Sequence, residues 1–176
     1  MKNRSMITAM MLLTAVSSCL AQFSVKYSPE VQPKGNIQYF TPVGGNQFVG
    51  DCIPFFREGT FYLYWLLDEG HHSALNGLGG HQWCVSTSTD LKNWIHHPIA
   101  IGIDEEWEKS ICTGSVAYDG KKHYAFYATR LILDDNSVNE QLSYAVSKDG
   151  LKYTKQKPNP FYTSAPGYSK RHFRDP

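Results

Sequence analysis

The chain has 176 residues and a formal net charge of +1, with 41% hydrophobic and 14% aromatic residues. This length suits one domain, and the basic residues are dispersed along the chain, which argues against a polyanion-binding surface and against nucleic acid as a partner. The aromatic residues fall mainly in short runs that are typical of β-strands.

The first 21 residues predict an export signal. Lys2 and Arg4 precede an apolar run over residues 7–16, which has the length of a signal-peptide core and is too short to span a bilayer. We favour cleavage after Ala21, which would give a secreted or periplasmic protein with a net charge of −1. The segment ending at Cys19 also resembles a bacterial lipobox, and lipidation there would instead anchor the protein to a membrane.

An aspartate interrupts the next apolar run, residues 48–56, which predicts a buried strand. An ionised carboxylate in such a strand is costly unless it is hydrogen-bonded, paired or used, so Asp51 is either a turn-capping residue or a functional one. A second aspartate, Asp175, follows 124 residues later, next to Arg174.

An internal repeat of about 61 residues organises the chain. The aromatic pattern of residues 59–65 returns in residues 120–127 at an offset of 62, and residues 83–86 align with residues 144–147 at an offset of 61. Repeated units of short strands and turns, without a helical period, predict an all-β fold of the β-propeller type. The alternative is a β-sandwich that contains two similar aromatic hairpins by coincidence.

The repeat places three polar residues at the same point of successive units: Asp51, Thr113 and Asp175. First strands line the central channel of a propeller, so we expect these side chains to converge there. Polar groups that meet in a concave site indicate a small polyhydroxylated ligand.

Three cysteines follow the signal, and no pair of them has metal-ligand spacing: Cys52, Cys84 and Cys112. We interpret them as buried, reduced, apolar residues, with a single disulfide as the alternative. The histidines also lack ligand spacing, so we predict no metal site and no cofactor.

Several motifs resemble glycoside hydrolase family 32, the five-bladed β-fructosidases. The segment from Trp83 to Ile101 resembles the family's first-blade signature, Thr113-Gly114-Ser115 its Ser-Gly-Ser segment, and Phe173-Arg174-Asp175-Pro176 its Arg-Asp-Pro motif. Asp51 falls where the family's nucleophile lies. The resemblance covers residues 48–176 and implies blades one and two and the beginning of blade three.

The resemblance implies a retaining hydrolase of β-fructosidic bonds in sucrose or fructans, with an oligo- or polysaccharide as its partner. Asp51 would be the nucleophile and Asp175 the transition-state stabiliser. The family's general acid is a glutamate in a Glu-Cys motif that these 176 residues do not contain. The substrate-binding residues would be Arg174, Thr113, Ser115, Phe48 and Trp83.

The nucleophile strand departs from the family pattern, because Phe48, Val49 and Gly50 precede the aspartate and Cys52 follows it. The preferred sugar is therefore left open. We expect a signal peptide at residues 1–21, a lead-in at 22–47 and a partial catalytic propeller at 48–176, truncated at its C-terminus and weakly active or inactive alone.

Two other functions remain as alternatives. One is a non-catalytic carbohydrate-binding propeller, in which Asp51 only accepts a hydrogen bond from a sugar. The other is an arabinan- or xylan-cleaving enzyme of the related five-bladed clan, which the arginine before Asp175 disfavours. The sequence predicts no transmembrane span and leaves the oligomeric state open.

Overall fold

The structure is a computed structural model that describes residue 40, residues 47–69 and residues 80–176. Regular structure in these residues consists of strands alone, so the all-β prediction is confirmed. None of the described residues forms a helix that could cross a membrane. The predicted export signal and most of the lead-in fall outside the described residues.

Within the described residues, eight strands form two four-stranded antiparallel sheets, each with its strands in chain order. This meander is the arrangement of a propeller blade. The first sheet contains β1 (Gln47–Arg57), β2 (Thr60–Glu69), β3 (Gln82–Ser88) and β4 (Ile95–His96). The second contains β5 (Ser110–Tyr118), β6 (His123–Ile132), β7 (Val138–Ser147) and β8 (Thr154–Lys155).

The segment after β8 contains no further strand among the described residues, only a bridge between Leu142 and Tyr162. Asp175 lies in this irregular segment. Its predicted position on the first strand of a third blade therefore stays a prediction.

The two sheets pack against each other through a buried aromatic layer. Strand β5 lies against β1, β2 and β3, and Trp83 donates its indole N–H to the carbonyl of Cys112 across the interface at 2.8 Å. Tyr64 donates to the carbonyl of Gly150 at 2.8 Å, and the Tyr153 hydroxyl lies 2.8 Å from that of Tyr64. Burying such a side chain contributes about 1.5–3 kcal/mol, so this layer holds the first sheet to the second.

The pairing registers confirm the repeat over the first two strands of each sheet. In the first sheet the register shifts between Val49 and Cys52, and in the second between Ile111 and Gly114, at an offset of 62. Each shift adds one residue to the first strand, which is a β-bulge. The two sheets thus carry the same irregularity at the same point.

The predicted alignment of the third strands was wrong by two residues. Tyr64 pairs with Val85 in the first sheet, and Phe126 pairs with Tyr144 in the second, so the structural offset of β3 and β7 is 59 rather than 61. Side chains alternate with a period of two along a strand, so a slip of two residues leaves the apolar pattern on the same face.

The cysteines only partly follow the prediction. All three described cysteines are free, and Cys84 and Cys112 are buried as expected. Cys52 is exposed, and Asp51 beside it is exposed as well. The expectation of a buried β1 was therefore wrong, since the strand lies at one edge of its sheet and buries Ile53 but leaves Pro54 exposed.

Candidate functional site

The bulges bring together two of the predicted site residues. Asp51 lies in the bulge of β1 and Thr113 in that of β5, and the Thr113 hydroxyl donates a hydrogen bond of 2.5 Å to Oδ2 of Asp51. A bulge bends its strand and re-aims the side chains within it. Equivalent β-bulges in the two sheets thus orient the carboxylate of Asp51 and the hydroxyl of Thr113 toward each other.

Ser115 lies two residues beyond Thr113 on β5 and is exposed. Side chains two apart on a strand share a face, so Ser115 extends the row of hydroxyl groups that begins at Thr113. The exposed or half-buried side chains of Asp51, Thr113 and Ser115 therefore form a polar strip along the first strands of the two sheets, β1 and β5.

The thiols near this strip are protonated. Partial desolvation, followed by the charge of Asp51, raises the pKa of the Cys52 thiol. Burial raises the pKa of Cys112. Because the thiolate is the nucleophilic form of cysteine, Asp51 is the better candidate nucleophile in this strip.

Arg174 and Asp175 form a second polar group. The guanidinium Nε of Arg174 lies 3.5 Å from Oδ2 of Asp175, and both side chains are partly exposed. Asp175 adopts a φ of 61°, a left-handed conformation that asparagine and aspartate tolerate better than other residues with a side chain.

One of the predicted substrate-binding residues does not take its expected place, and the role predicted for Phe48 stays a prediction. Trp83 is fully buried between the sheets and belongs to the core, so it presents no surface to a ligand and its role is packing. The prediction failed because an exposed aromatic platform and a buried core tryptophan look alike in sequence. The side chain of Phe48 lies outside the described residues.

Sequence reasoning missed a buried ion pair beside Arg174. Nη2 of Arg130 lies 2.8 Å from Oε1 of Glu140, whose side chain is fully buried, and Nη1 of Arg174 lies 3.5 Å from the same oxygen. Arg130 and Glu140 are register partners on β6 and β7. Only the pairing register could have identified this pair, because no short motif contains it.

A polar surface cleft of about 510 Å³ opens beside Glu140, between β7 and the segment that follows β8. Among the described residues, no group of three or more histidine, cysteine or acidic side chains could hold a metal ion.

The model of the Glycosyl hydrolases family 32 N-terminal domain matches residues 53–176. Among curated proteins, sucrose-6-phosphate hydrolase of Escherichia coli is 32% identical over 60% of this chain and 22% of its own length. Levanase of Bacillus subtilis is 27% identical over 97% of this chain and 24% of its own length. The chain thus spans about a quarter of the length of these relatives.

Solved structures show the same fold. A variant of Bombyx mori beta-fructofuranosidase in complex with sucrose superposes with a TM-score of 0.61 at 26% identity, over 74% of this chain and 27% of that one. Fructan 1-exohydrolase IIa from Cichorium intybus superposes with a TM-score of 0.61 at 23% identity, over 77% of this chain and 25% of that one. These neighbours are five-bladed propellers.

Proposed function

The chain belongs to glycosyl hydrolase family 32, and on this premise we propose that the protein hydrolyses β-fructosidic bonds of sucrose or fructans with retention of configuration. The hydrogen bond between Thr113 and Asp51 is the observation that carries the proposal. It gives an exposed carboxylate a fixed orientation at the point where two sheets meet. Relatives named as a sucrose-6-phosphate hydrolase and a levanase support the substrate class.

Asp51 is the proposed nucleophile. With Oδ2 held by Thr113, we assign to Oδ1 the attack on the anomeric carbon of the fructosyl unit. The attack forms a covalent fructosyl-enzyme as the bond to the leaving group breaks, and water then hydrolyses that intermediate. Fixing the carboxylate before the substrate arrives lowers the entropic cost of reaching the reactive geometry.

Arg174 and Asp175 are the proposed partners of the sugar ring. The carboxylate of Asp175 stabilises the positive charge of the oxocarbenium-like transition state, and the guanidinium of Arg174 donates to ring hydroxyls. Ser115 and Thr113 supply further polar contacts. We assign the general acid to a glutamate outside these 176 residues, since the relatives extend far beyond the matched region.

The test uses the complete gene product with sucrose, levan and inulin as substrates and fructose release as the readout. Asp51→Asn keeps the shape of the side chain but removes its nucleophilic charge, so we expect kcat to fall roughly 10⁴-fold or more. Binding of sucrose, measured by calorimetry, should persist. Asp134→Asn, at an exposed aspartate in the turn between β6 and β7, is the control and should keep full activity.

Other outcomes separate the alternatives. Sucrose binding without turnover by the unmodified protein would identify a carbohydrate-binding propeller. Turnover of arabinan or xylan alone would identify an enzyme of the other clan. An NMR record of the first-formed fructose anomer tests retention, because inversion would exclude a fructosyl-enzyme at Asp51.

A further inference from the structure

The carboxylate of Glu140, in the second sheet, contacts two arginines, Arg130 and Arg174. The side chain of Glu140 has no exposed surface, and its Oε1 lies 2.8 Å from Arg130 and 3.5 Å from Arg174. A buried carboxylate is tolerated when it is paired, and Arg130, its cross-strand neighbour, already provides that pairing. The contact with Arg174 goes beyond what burial of Glu140 requires.

The contact extends into a line of alternating charges. Arg130, Glu140, Arg174 and Asp175 follow one another with gaps of 2.8, 3.5 and 3.5 Å. The line passes from the partly buried Arg130 through the fully buried Glu140 and ends at Asp175, whose side chain is 59% exposed. Each member carries the charge that orients the next, so the position of Glu140 influences that of Arg174 and Asp175.

Glu140 also fixes the backbone that leads to this pair. Its amide N–H donates to the carbonyl of Lys170 at 2.8 Å. The segment before Arg174 is therefore attached to β7 through the main chain, and Arg174 itself through the side chain of the same residue. Oε2 of Glu140 is buried without a hydrogen-bond partner among the described residues, so the carboxylate can accept a second bond from a guanidinium.

Asp175 needs such support. Its φ of 61° is a left-handed conformation that is disfavoured for residues with a side chain. Residues in such conformations persist where their surroundings hold them in place, and they cluster at functional sites. The described contact of the Asp175 side chain is with Arg174, which in turn contacts Glu140.

We infer that Glu140 is a positioning residue for Arg174 and, through it, for the carboxylate of Asp175. The inference rests on the proposed function, in which these two residues surround the fructosyl ring. Glu140 touches neither the ring nor the reacting atoms. It sets the distance and orientation from which Asp175 faces the developing positive charge, so its loss lowers kcat more than it raises KM.

The chain offers a matched control in Glu108. Its side chain also has no exposed surface, it also has one oxygen without a hydrogen-bond partner among the described residues, and it also pairs with a partly buried cation, Lys155. Its contacts run to Lys155 and to the amide of Asp104, and not to the segment that carries Asp175. Glu108→Gln therefore removes a buried charge of the same kind without removing any described contact of Arg174 or Asp175.

The experiment measures sucrose hydrolysis by the complete gene product and its variants. For Glu140→Gln we expect kcat to fall by about tenfold to a hundredfold, the value of one hydrogen bond to a charged group, with KM changed by less than about threefold. Both variants should lower the melting temperature, and by similar amounts. Glu108→Gln should nevertheless keep kcat within about threefold of the wild type. Equal kcat losses in the two variants would overturn the inference.

A double-mutant cycle separates positioning from a general loss of stability. In an Arg174→Ala background, Glu140→Gln should change kcat by less than about threefold, because the residue through which it acts is gone. Multiplicative losses would overturn the inference. Glu140→Asp keeps the negative charge opposite Arg130 but shortens the side chain by one methylene, which lengthens its already long contact with Arg174. This variant is expected to lose a similar part of kcat.

Crystal structures of the wild type, Glu140→Gln and Glu108→Gln give a readout independent of activity. We expect Asp175 to leave its left-handed conformation in Glu140→Gln only. An unchanged Arg174–Asp175 geometry in that variant overturns the inference even in an active enzyme. A wild type that hydrolyses no fructoside overturns the proposed function, and the crystal structures then still decide whether Glu140 positions the pair.

Discussion

The two sheets follow the same backbone course but place different chemistry at equivalent points. Each first strand bulges at the same position of the repeat, where the first sheet presents Asp51 and the second presents Thr113. The next residue is a cysteine, Cys52, in one sheet and a glycine, Gly114, in the other. The repeated fold supplies the geometry, and single side-chain differences at repeated points place the accepting carboxylate on one sheet and the donating hydroxyl on the other.

The third strands differ in how they are covered. Nearly every residue of β3 is buried, whereas β7 alternates between buried and partly exposed side chains. The reason is that β3 has neighbours on both faces. Trp83 packs toward the second sheet, while Cys84 packs with Trp65 and Phe40 on the opposite side. The third strand of the first sheet is therefore covered on both faces, by the core between the sheets on one side and by a second apolar cluster on the other.

The largest test of this difference is truncation of Trp83. Trp83→Ala leaves a cavity between the sheets and removes the donor to Cys112, so we expect the free energy of unfolding to fall by about 4–5 kcal/mol. The structural counterpart on β7 is Leu142, which is partly exposed, and Leu142→Ala should cost only about 1–2 kcal/mol. Denaturant unfolding measures both, and equal losses would contradict the unequal burial.

A smaller but still large effect is expected at the bulge. A Cβ added at Gly114 would lie 1.9 Å from the carbonyl oxygen of Phe126 and 2.7 Å from the Cα of Tyr127. These are backbone atoms, so Gly114→Ala must displace a strand, at a cost of about 3 kcal/mol. Cys52→Ala at the equivalent point should change stability by less than about 0.5 kcal/mol. Thermal unfolding of the two variants tests the asymmetry, and a mild effect of Gly114→Ala would show that the second bulge accommodates a Cβ as the first one does.

Thr113→Val probes the chemical difference between the bulges. Valine keeps the shape of threonine but cannot donate to Asp51, so kcat/KM for sucrose should fall by about tenfold to a hundredfold, equivalent to about 2 kcal/mol. Thr113→Ser keeps the hydroxyl and should stay within about threefold of the wild type. Full activity of Thr113→Val would show that this hydrogen bond does not orient the carboxylate.

The smallest expected effect lies in the turns after the third strands. Leu91 has a φ of 60° and is 54% exposed, whereas its structural counterpart Gly150 has a φ of 77°. Leu91→Gly relieves the strain of a side chain in the left-handed region, and after the entropic cost of glycine it should stabilise the protein by about 0.5–1 kcal/mol. This corresponds to a rise of a few degrees in melting temperature.

The reverse change supplies the control for this turn. At Gly150 a Cβ would approach the Tyr64 hydroxyl to 3.1 Å and Nε2 of His123 to 3.3 Å. Gly150→Ala should therefore destabilise the protein by about 1–2 kcal/mol. A destabilising Leu91→Gly would mean that the leucine side chain makes contacts that outweigh its backbone strain.

The repeat and the convergence of Asp51 with Thr113 could both be predicted from the sequence. Aromatic side chains at an offset of 62 placed both residues in the same structural position, because a repeated hairpin repeats its register. The third strands were misaligned by two residues because a shift of one full pleat preserves the hydrophobic alternation. The predicted burial of β1 failed because an apolar run does not reveal whether its strand lies at the edge of a sheet.

The remainder of the candidate site depends on contacts between residues far apart in the chain. Glu140 lies 34 residues before Arg174, and no local pattern marks it as a partner. Trp83 has the aromatic character of a sugar-binding residue, but its burial is decided by the neighbouring sheet. Tertiary packing therefore determines both of these roles, and local sequence does not contain that information.

The hydrogen bond from Thr113 to Asp51 joins residues on separate sheets, so the orientation of the carboxylate is a property of the contact between the sheets. The rate of the proposed hydrolysis would then report on that contact. Changes confined to the buried aromatic layer should slow turnover without touching the substrate. On heating, activity should decline before the sheets themselves unfold, because a small separation is enough to break a bond of 2.5 Å.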